Sequence, residues 1–311
     1  MGETIGVDIS KEHLDACRFS DGEVRQFSNS VAGIRDFIAW LGPGAVKRVV
    51  YEVTGPYHRS FERALGAAKV PASKVNPRQA RRFAEATGTL VKTDQIDAAL
   101  LARMGALLEP RVHPIASDTL DTLKELSVAR RALLKDRTAA KNRQKALRLA
   151  LLRRHNALRL KQIDRQLNAI EAAVAEIIAG DAELRWRAEI LISIPGISIL
   201  TAYTLLIDMP ELGALDAKQA ASLAGLAPAT RESGLWKGRA LICGGRSQLR
   251  QALYMPALAA CRFNPDFKAK YGQLKAAGKP SKVAITAVMR KLIVLANALI
   301  RDRRHWTPVP T

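Results

Sequence analysis

From Ala116 to Ala179 the chain contains neither Gly nor Pro. Nothing in such a stretch interrupts backbone hydrogen bonding, so long helices are the expected product. Leu160, Ile163, Leu167, Ile170, Val174 and Ile177 alternate spacings of three and four, the apolar seam of a heptad repeat. Such a seam serves an intermolecular coiled coil or one helix of a bundle within the chain. Just before it, Arg130, Arg137, Lys141, Lys145 and Arg148 share one helical face. Between Lys124 and Arg165 there are 14 Lys or Arg and three acids, Glu125, Asp136 and Asp164. Acids for intrahelical pairs are mostly missing, which favours phosphate binding over a merely solvated face.

This basic helical segment, residues 116–183, divides the chain into three expected domains. Residues 1–115 read as α/β. Thr4–Ile9 is a β-rich run, with Leu14–Phe19 and Val24–Ser28 as hairpin partners around Asp21-Gly22. Val31–Leu41 reads as a helix, Val46–Val53 as a buried strand, His58–Ala68 as a helix and Ala72–Val75 as a short strand. Helices follow at Pro77–Ala86 and Gln95–Leu108. Paired strands followed by alternating strands and helices imply a mixed sheet flanked by helices. Residues 184–311 read as helical. Ile194-Pro195-Gly196-Ile197 between two apolar helices is either a plain turn or similar to a helix-hairpin-helix, whose hairpin N–H groups face a phosphate. Ala227–Arg246 is expected to be a long exposed loop, with helices resuming at Gln248–Cys261 and near Val283–Arg301.

Composition narrows the partners. The 49 Lys and Arg against 29 Asp and Glu leave a net charge of +20. Such an excess calls for a polyanion, nucleic acid before a membrane surface. No apolar run approaches the roughly 20 residues needed to span a bilayer. The opening MGETIGVDIS reads as a strand rather than a signal peptide, so a bacterial cytoplasmic protein is expected. Cys17, Cys243 and Cys261 are far apart and odd in number, and no H-E-x-x-H occurs. Zinc and disulfide frameworks are therefore disfavoured.

Four acids stand out. Asp8 ends the first strand, Glu52 ends the second buried strand, and Asp94 and Asp97 open a helix. Carboxylates at the ends of neighbouring strands can converge, and two acids three apart on a helix share a face. Four such oxygen donors repel one another unless cations neutralise them. Mg²⁺ suits the set, because it is hard and is completed by substrate phosphate and water. Two ions would clamp the attacking and leaving oxygens of a phosphodiester. The plainer roles are an N-cap at Asp94 with Asp97 in the first turn, and a turn amide for Asp8. Glu52 resists such a reading, since a carboxylate inside an apolar strand needs a partner.

Asp8, Glu52, Asp94 and Asp97, in E-x-T-G and K-T-D-x-x-D-A contexts, resemble the one-ten family of bacterial insertion-sequence transposases. Ile194-Pro195-Gly196-Ile197, Leu223-Ala224-Gly225-Leu226-Ala227-Pro228, Glu232-Ser233-Gly234, Gly244-Gly245-Arg246 and Leu253-Tyr254-Met255 continue the resemblance over nearly the whole chain. Trp236-Lys237-Gly238 is similar to the eleven-eleven branch. The resemblance implies a RuvC-like, RNase H-type first domain (1–115), which joins the helical coiled-coil middle (116–183) and the mainly α C-terminal domain (184–311) expected from the residues. It implies Ser233 as a nucleophile that forms a covalent phosphoserine with DNA. It further implies donor and target DNA, a structured guide RNA, and homodimers or homotetramers that join the acidic domain of one subunit to the serine of another. Arg231, Lys237 and Arg239 lie close to Ser233 in sequence and suit phosphate contact. Gly244, Gly245 and Arg246 precede Ser247, which is expected to cap a helix and touch phosphate. Two competing readings are a metal nuclease of the Holliday-junction-resolvase type, with Ser233 idle, and a non-catalytic nucleic-acid scaffold.

Overall fold

The computed structural model describes residues 2–308 except 43–45, 54, 56, 90–92, 113–116, 231, 234–235 and 239, and the backbone alone at 232, 233, 236 and 237. The chain divides into two compact units, Met1–Ser117 and Asp118–Thr311.

The first unit is built on a five-stranded sheet of order β3-β2-β1-β4-β5. Strands β1 (Glu3–Ile9), β2 (His13–Arg18) and β3 (Val24–Ser28) form an antiparallel meander. Gly22, at φ 72°, makes the turn that joins β2 to β3. Strands β4 (Val46–Glu52) and β5 (Ala72–Val75) add in parallel with β1, so all three share one carboxyl end. The period of two sorts their side chains. Ile5, Val7, Ile9, Val49 and Tyr51 face α1 (Val31–Leu41) and α2 (Arg59–Ala67), packing on Phe37, Trp40, Phe61 and Leu65. The opposite face carries Val50 and Val75, covered by α3 (Pro77–Ala86) and α4 (Asp94–Leu108) through Ala80, Leu101 and Met104.

Helix α4 lies directly on β1. A Cβ at Gly6 would fall 2.1 Å from the Ala98 carbonyl oxygen and 2.2 Å from the Ala102 nitrogen. A Cβ at Gly105 would meet Val50 Cγ2 at 2.5 Å and Thr4 Cγ2 at 2.8 Å. The helix therefore runs antiparallel to β1, with its first turn at the carboxyl end of the sheet.

The second unit is helical. Helices α5 (Asp118–Ala146) and α6 (Ala150–Gly180) fold back on each other. Arg130 Nε donates to Glu171 at 2.8 Å, and Asn156 Nδ2 donates to the Ala140 carbonyl at 2.9 Å, which sets an antiparallel register. Ile163, Leu167 and Val174 of the heptad seam are buried within the chain. The seam is thus one side of an intramolecular hairpin. The break between the helices comes at Leu149, which is extended without any helix-breaking residue.

Helices α7 (Ala182–Ser193) and α8 (Ile199–Asp208) flank the Pro195-Gly196 turn. Gly196 sits at φ 101°, and a Cβ there would lie 2.7 Å from the Pro256 carbonyl of α10 (Ser247–Phe263). The turn's glycine is therefore required for packing. Helix α12 (Ser281–Arg301) is the centre of this core, burying Ala284, Val288, Leu292, Ile293, Ala296 and Leu299 against α9 (Ala217–Leu223), α10 and α11 (Pro265–Ala276). By length and composition α12 is long and apolar enough to cross a membrane, so one stretch does reach the length not expected from the sequence. Its apolar residues are spent on the core.

The segment expected to be a loop is a β-ribbon. Strand β6 (Pro228–Ala229) pairs with β9 (Leu241–Ile242), and β7 (Glu232–Ser233) with β8 (Trp236–Lys237).

Substitution Gly6→Val is expected to destabilise the first unit by about 2 kcal/mol or more, because backbone atoms of α4 cannot yield as a side chain would. Thermal melting checks this. A melting temperature equal to the wild type's would refute the close approach.

Candidate acidic site and nucleic-acid surfaces

The approach of α4 to β1 places the acids. Asp8 lies two residues beyond Gly6 and so on the same face, towards α4. Glu52 is the last residue of β4, two beyond Val50, on that face as well. Val7 pairs with Tyr51, so Asp8 and Glu52 are the next neighbours in register. Asp94 and Asp97 are in the first turn of α4, one turn or less before Ala98, which seats the helix on Gly6. Thr93, not Asp94, is the N-cap, and its side chain accepts from the Ile96 N–H at 3.3 Å. Asp94 is thereby freed from the capping role that its position in the sequence offers.

The electrostatics follow from this placement. The Asp8 carboxyl is pushed up to about 6, first by burial and then by Asp94, Asp97, Glu52 and Asp15. Asp15 is a neighbour of this acidic cluster that sequence reasoning missed. It lies directly opposite Asp8 across the β1–β2 ladder, is 2% exposed, and accepts from Gln26 Nε2 at 2.9 Å. Its only signal was an acid inside the apolar run Leu14-Asp15-Ala16. Like charges directly opposite in a sheet are destabilising, so this pairing is costly without a cation. Among the described residues no three acids, histidines or cysteines stand in ligating geometry. The donor set still fits a divalent ion: hard oxygen ligands, mutual repulsion, and one carboxyl raised by burial and by the acids around it.

In the second unit the basic face divides. Arg130 pairs with Glu171 at 2.7 Å and Arg137 with Asp164 at 3.4 Å, so their acids come from the facing helix. Lys141, Lys145 and Arg148, towards the hairpin tip, are exposed and have no ion pair among the described residues. Ser233 pairs with Trp236 at the end of the ribbon away from its root. Lys237 belongs to the same ladder, whereas Arg231 and Arg239 lie outside the described residues.

Gly244 and Gly245 have φ of 68° and 64°, and a Cβ at Gly245 would lie 2.2 Å from the Gly225 nitrogen. Arg246 donates to both Glu211 oxygens, at 2.7 and 2.8 Å, and to the Asp208 carbonyl at 2.7 Å. These contacts hold Gly244-Gly245-Arg246 in the fold. Ser247 is the first residue of α10 and Arg246 its N-cap, without a side-chain cap bond, so Ser247 does not cap the helix.

The transposase family designated DEDD_Tnp_IS110 matches residues 5–156, and the Transposase IS116/IS110/IS902 family matches residues 188–272. The chain is 30% identical to the pilin gene-inverting proteins of Moraxella lacunata and Moraxella bovis, over 97% of this chain and 97% of each relative. It is also 30% identical, over 46% of this chain and 35% of the relative, to an uncharacterized 43.6 kDa protein of insertion element IS110 from Streptomyces coelicolor. The match to a DEDD domain suggests a divalent-metal requirement. The chain belongs to the IS110 family of transposases and is an enzyme of the transposase/recombinase class.

Proposed function

We propose that the chain cuts and rejoins DNA strands with a Mg²⁺-dependent acidic site and a serine nucleophile, under the guidance of a structured RNA. The observation that carries this reading is the gathering of Asp8, Glu52, Asp94 and Asp97 at one end of the sheet in a chain of this family. The strand order β3-β2-β1-β4-β5, with only the first three antiparallel, supports a RuvC-like, RNase H-type first domain. In this reading the basic hairpin of 116–183 and the helical domain of 184–311 bind nucleic acid, and the chain works as a homodimer or homotetramer in the bacterial cytoplasm.

Asp8, Glu52, Asp94 and Asp97 would hold Mg²⁺. Bound there, the ion would offset the negative charge on the phosphate oxygens and on the attacking and leaving oxygens. The Ser233 hydroxyl oxygen bonds to a DNA phosphorus as the bond to a deoxyribose oxygen breaks. The serine gives up one proton and the released sugar hydroxyl gains one. One phosphodiester replaces another, so the energy of the cut bond is kept for rejoining. Lys141, Lys145, Arg148, Arg231, Lys237 and Arg239 contact phosphates.

With cognate DNA, guide RNA and Mg²⁺, Ser233→Ala is expected to abolish both the covalent protein–DNA adduct and strand transfer. Unchanged strand transfer would instead favour a resolvase-type nuclease that uses water.

Asp8 gives a second test. Its folded pKa of about 6 lies above the ordinary aspartate value of 3.8, so between the two the native state keeps a proton that the unfolded chain has lost. Stability of the metal-free protein should fall as pH rises from about 4 to 6, and Asp8→Asn should remove that fall. Mg²⁺ should restore stability at pH 7 in the wild type and not in Asp8→Asn. Melting curves at several pH values with and without Mg²⁺ check both; identical profiles for the two proteins would refute the assignment.

A further inference from the structure

Helix α3 begins immediately after β5, at the same end of the sheet as the acids. Glu52 and Val75 are partners in the β4–β5 ladder, and Asn76 caps α3 by accepting from the Arg78 N–H at 2.9 Å. The helix packs inward through Ala80 and Phe83. Arg78, Arg81 and Arg82 occupy the exposed side at spacings of three and four.

Three features set these arginines apart from an ordinary solvated face. Arg78 stands in the first turn of a helix that has no acid there, where the dipole disfavours cations. Arg78 and Arg82 are like charges four apart, which is unfavourable by itself. None of the three has an ion pair among the described residues, although Glu85 stands four residues after Arg81. The charged groups that shift Asp8 are acids, Asp94, Asp97, Glu52 and Asp15, and the three arginines are not among them. The fold thus keeps three cations unspent beside an acidic centre that would repel a polyanion.

We propose that Arg78, Arg81 and Arg82 form a phosphodiester cradle that lays a DNA strand across the carboxyl end of the sheet. The proposal rests on the recombinase reading above. The arginines bind backbone phosphates on either side of the reacting one and offset the repulsion between the strand and the carboxylates. Guanidinium groups suit this, because each offers a planar fork of donors to phosphate oxygens. The contact is independent of base sequence.

The test uses the full chain and a fluorescently labelled DNA duplex in EDTA, so that binding is read without catalysis. Affinity is measured from low to moderate salt for the wild type, R78A/R81A/R82A and R78K/R81K/R82K. Each lost phosphate contact lowers the slope of log affinity against log salt by about 0.9. The alanine variant should lose roughly 2 to 3 from that slope, and the lysine variant should keep it. The alanine variant should also melt no lower than the wild type, since alanine favours the helix and relieves the dipole. An unchanged slope in the alanine variant would overturn the cradle. So would a lysine variant that loses as much slope as the alanine one, since that marks a loss of packing rather than charge. A wild type whose binding ignores salt would instead overturn the recombinase reading, and the cradle with it.

Discussion

The contact on which the acidic site depends has no side chain on one of its two surfaces. At Gly6 the backbone of β1 meets the backbone of α4, with Ala98 and Ala102 as the facing residues. Any larger residue would lift the helix from the sheet. Because α4 runs antiparallel to β1, this seat determines what lies above Asp8, namely the first helical turn with Asp94 and Asp97. The site is therefore positioned by packing and not by attraction among its members, all of which are acids. Thr93 reinforces the arrangement by taking over the capping role.

Much of this was legible in the residues. Glu52 in an apolar strand and Asp94 with Asp97 at a helix start are conspicuous, because burial and patterning leave few other uses for them. Asp15 was not legible, since only the ladder reveals that it faces Asp8. The five strands were readable from β-branched runs and the Asp21-Gly22 turn. The Gly- and Pro-free stretch did yield two long helices. Their separation at Leu149 left no trace in composition, because it answers to the helices packing back on each other. The use of the heptad seam was equally hidden: periodicity says that a helix has an apolar stripe and is silent about which chain covers it.

Basic residues show how weak a count of charges is by itself. Arg130, Arg137 and Arg246 all read as phosphate ligands in the sequence, and all three are paired with acids in the fold. The missing acids lay one helix away, or, for Arg246, on the segment following α8. Gly244 and Gly245 likewise read as a phosphate loop, while the close approach of Gly245 to Gly225 gives them work in packing. The cations left over, at the hairpin tip and on α3, are distinguished by what they lack.

The place of α12 in the chain has a consequence for biogenesis. It is the core of the second unit, yet the ribosome makes it after every other helix that must pack on it. The first unit is complete in sequence by Ser117 and can fold while the rest is being made. The second unit instead waits with open apolar faces until its centre emerges. A chain that stalls before Ser281 thus lacks the helix on which the core of its second unit is built.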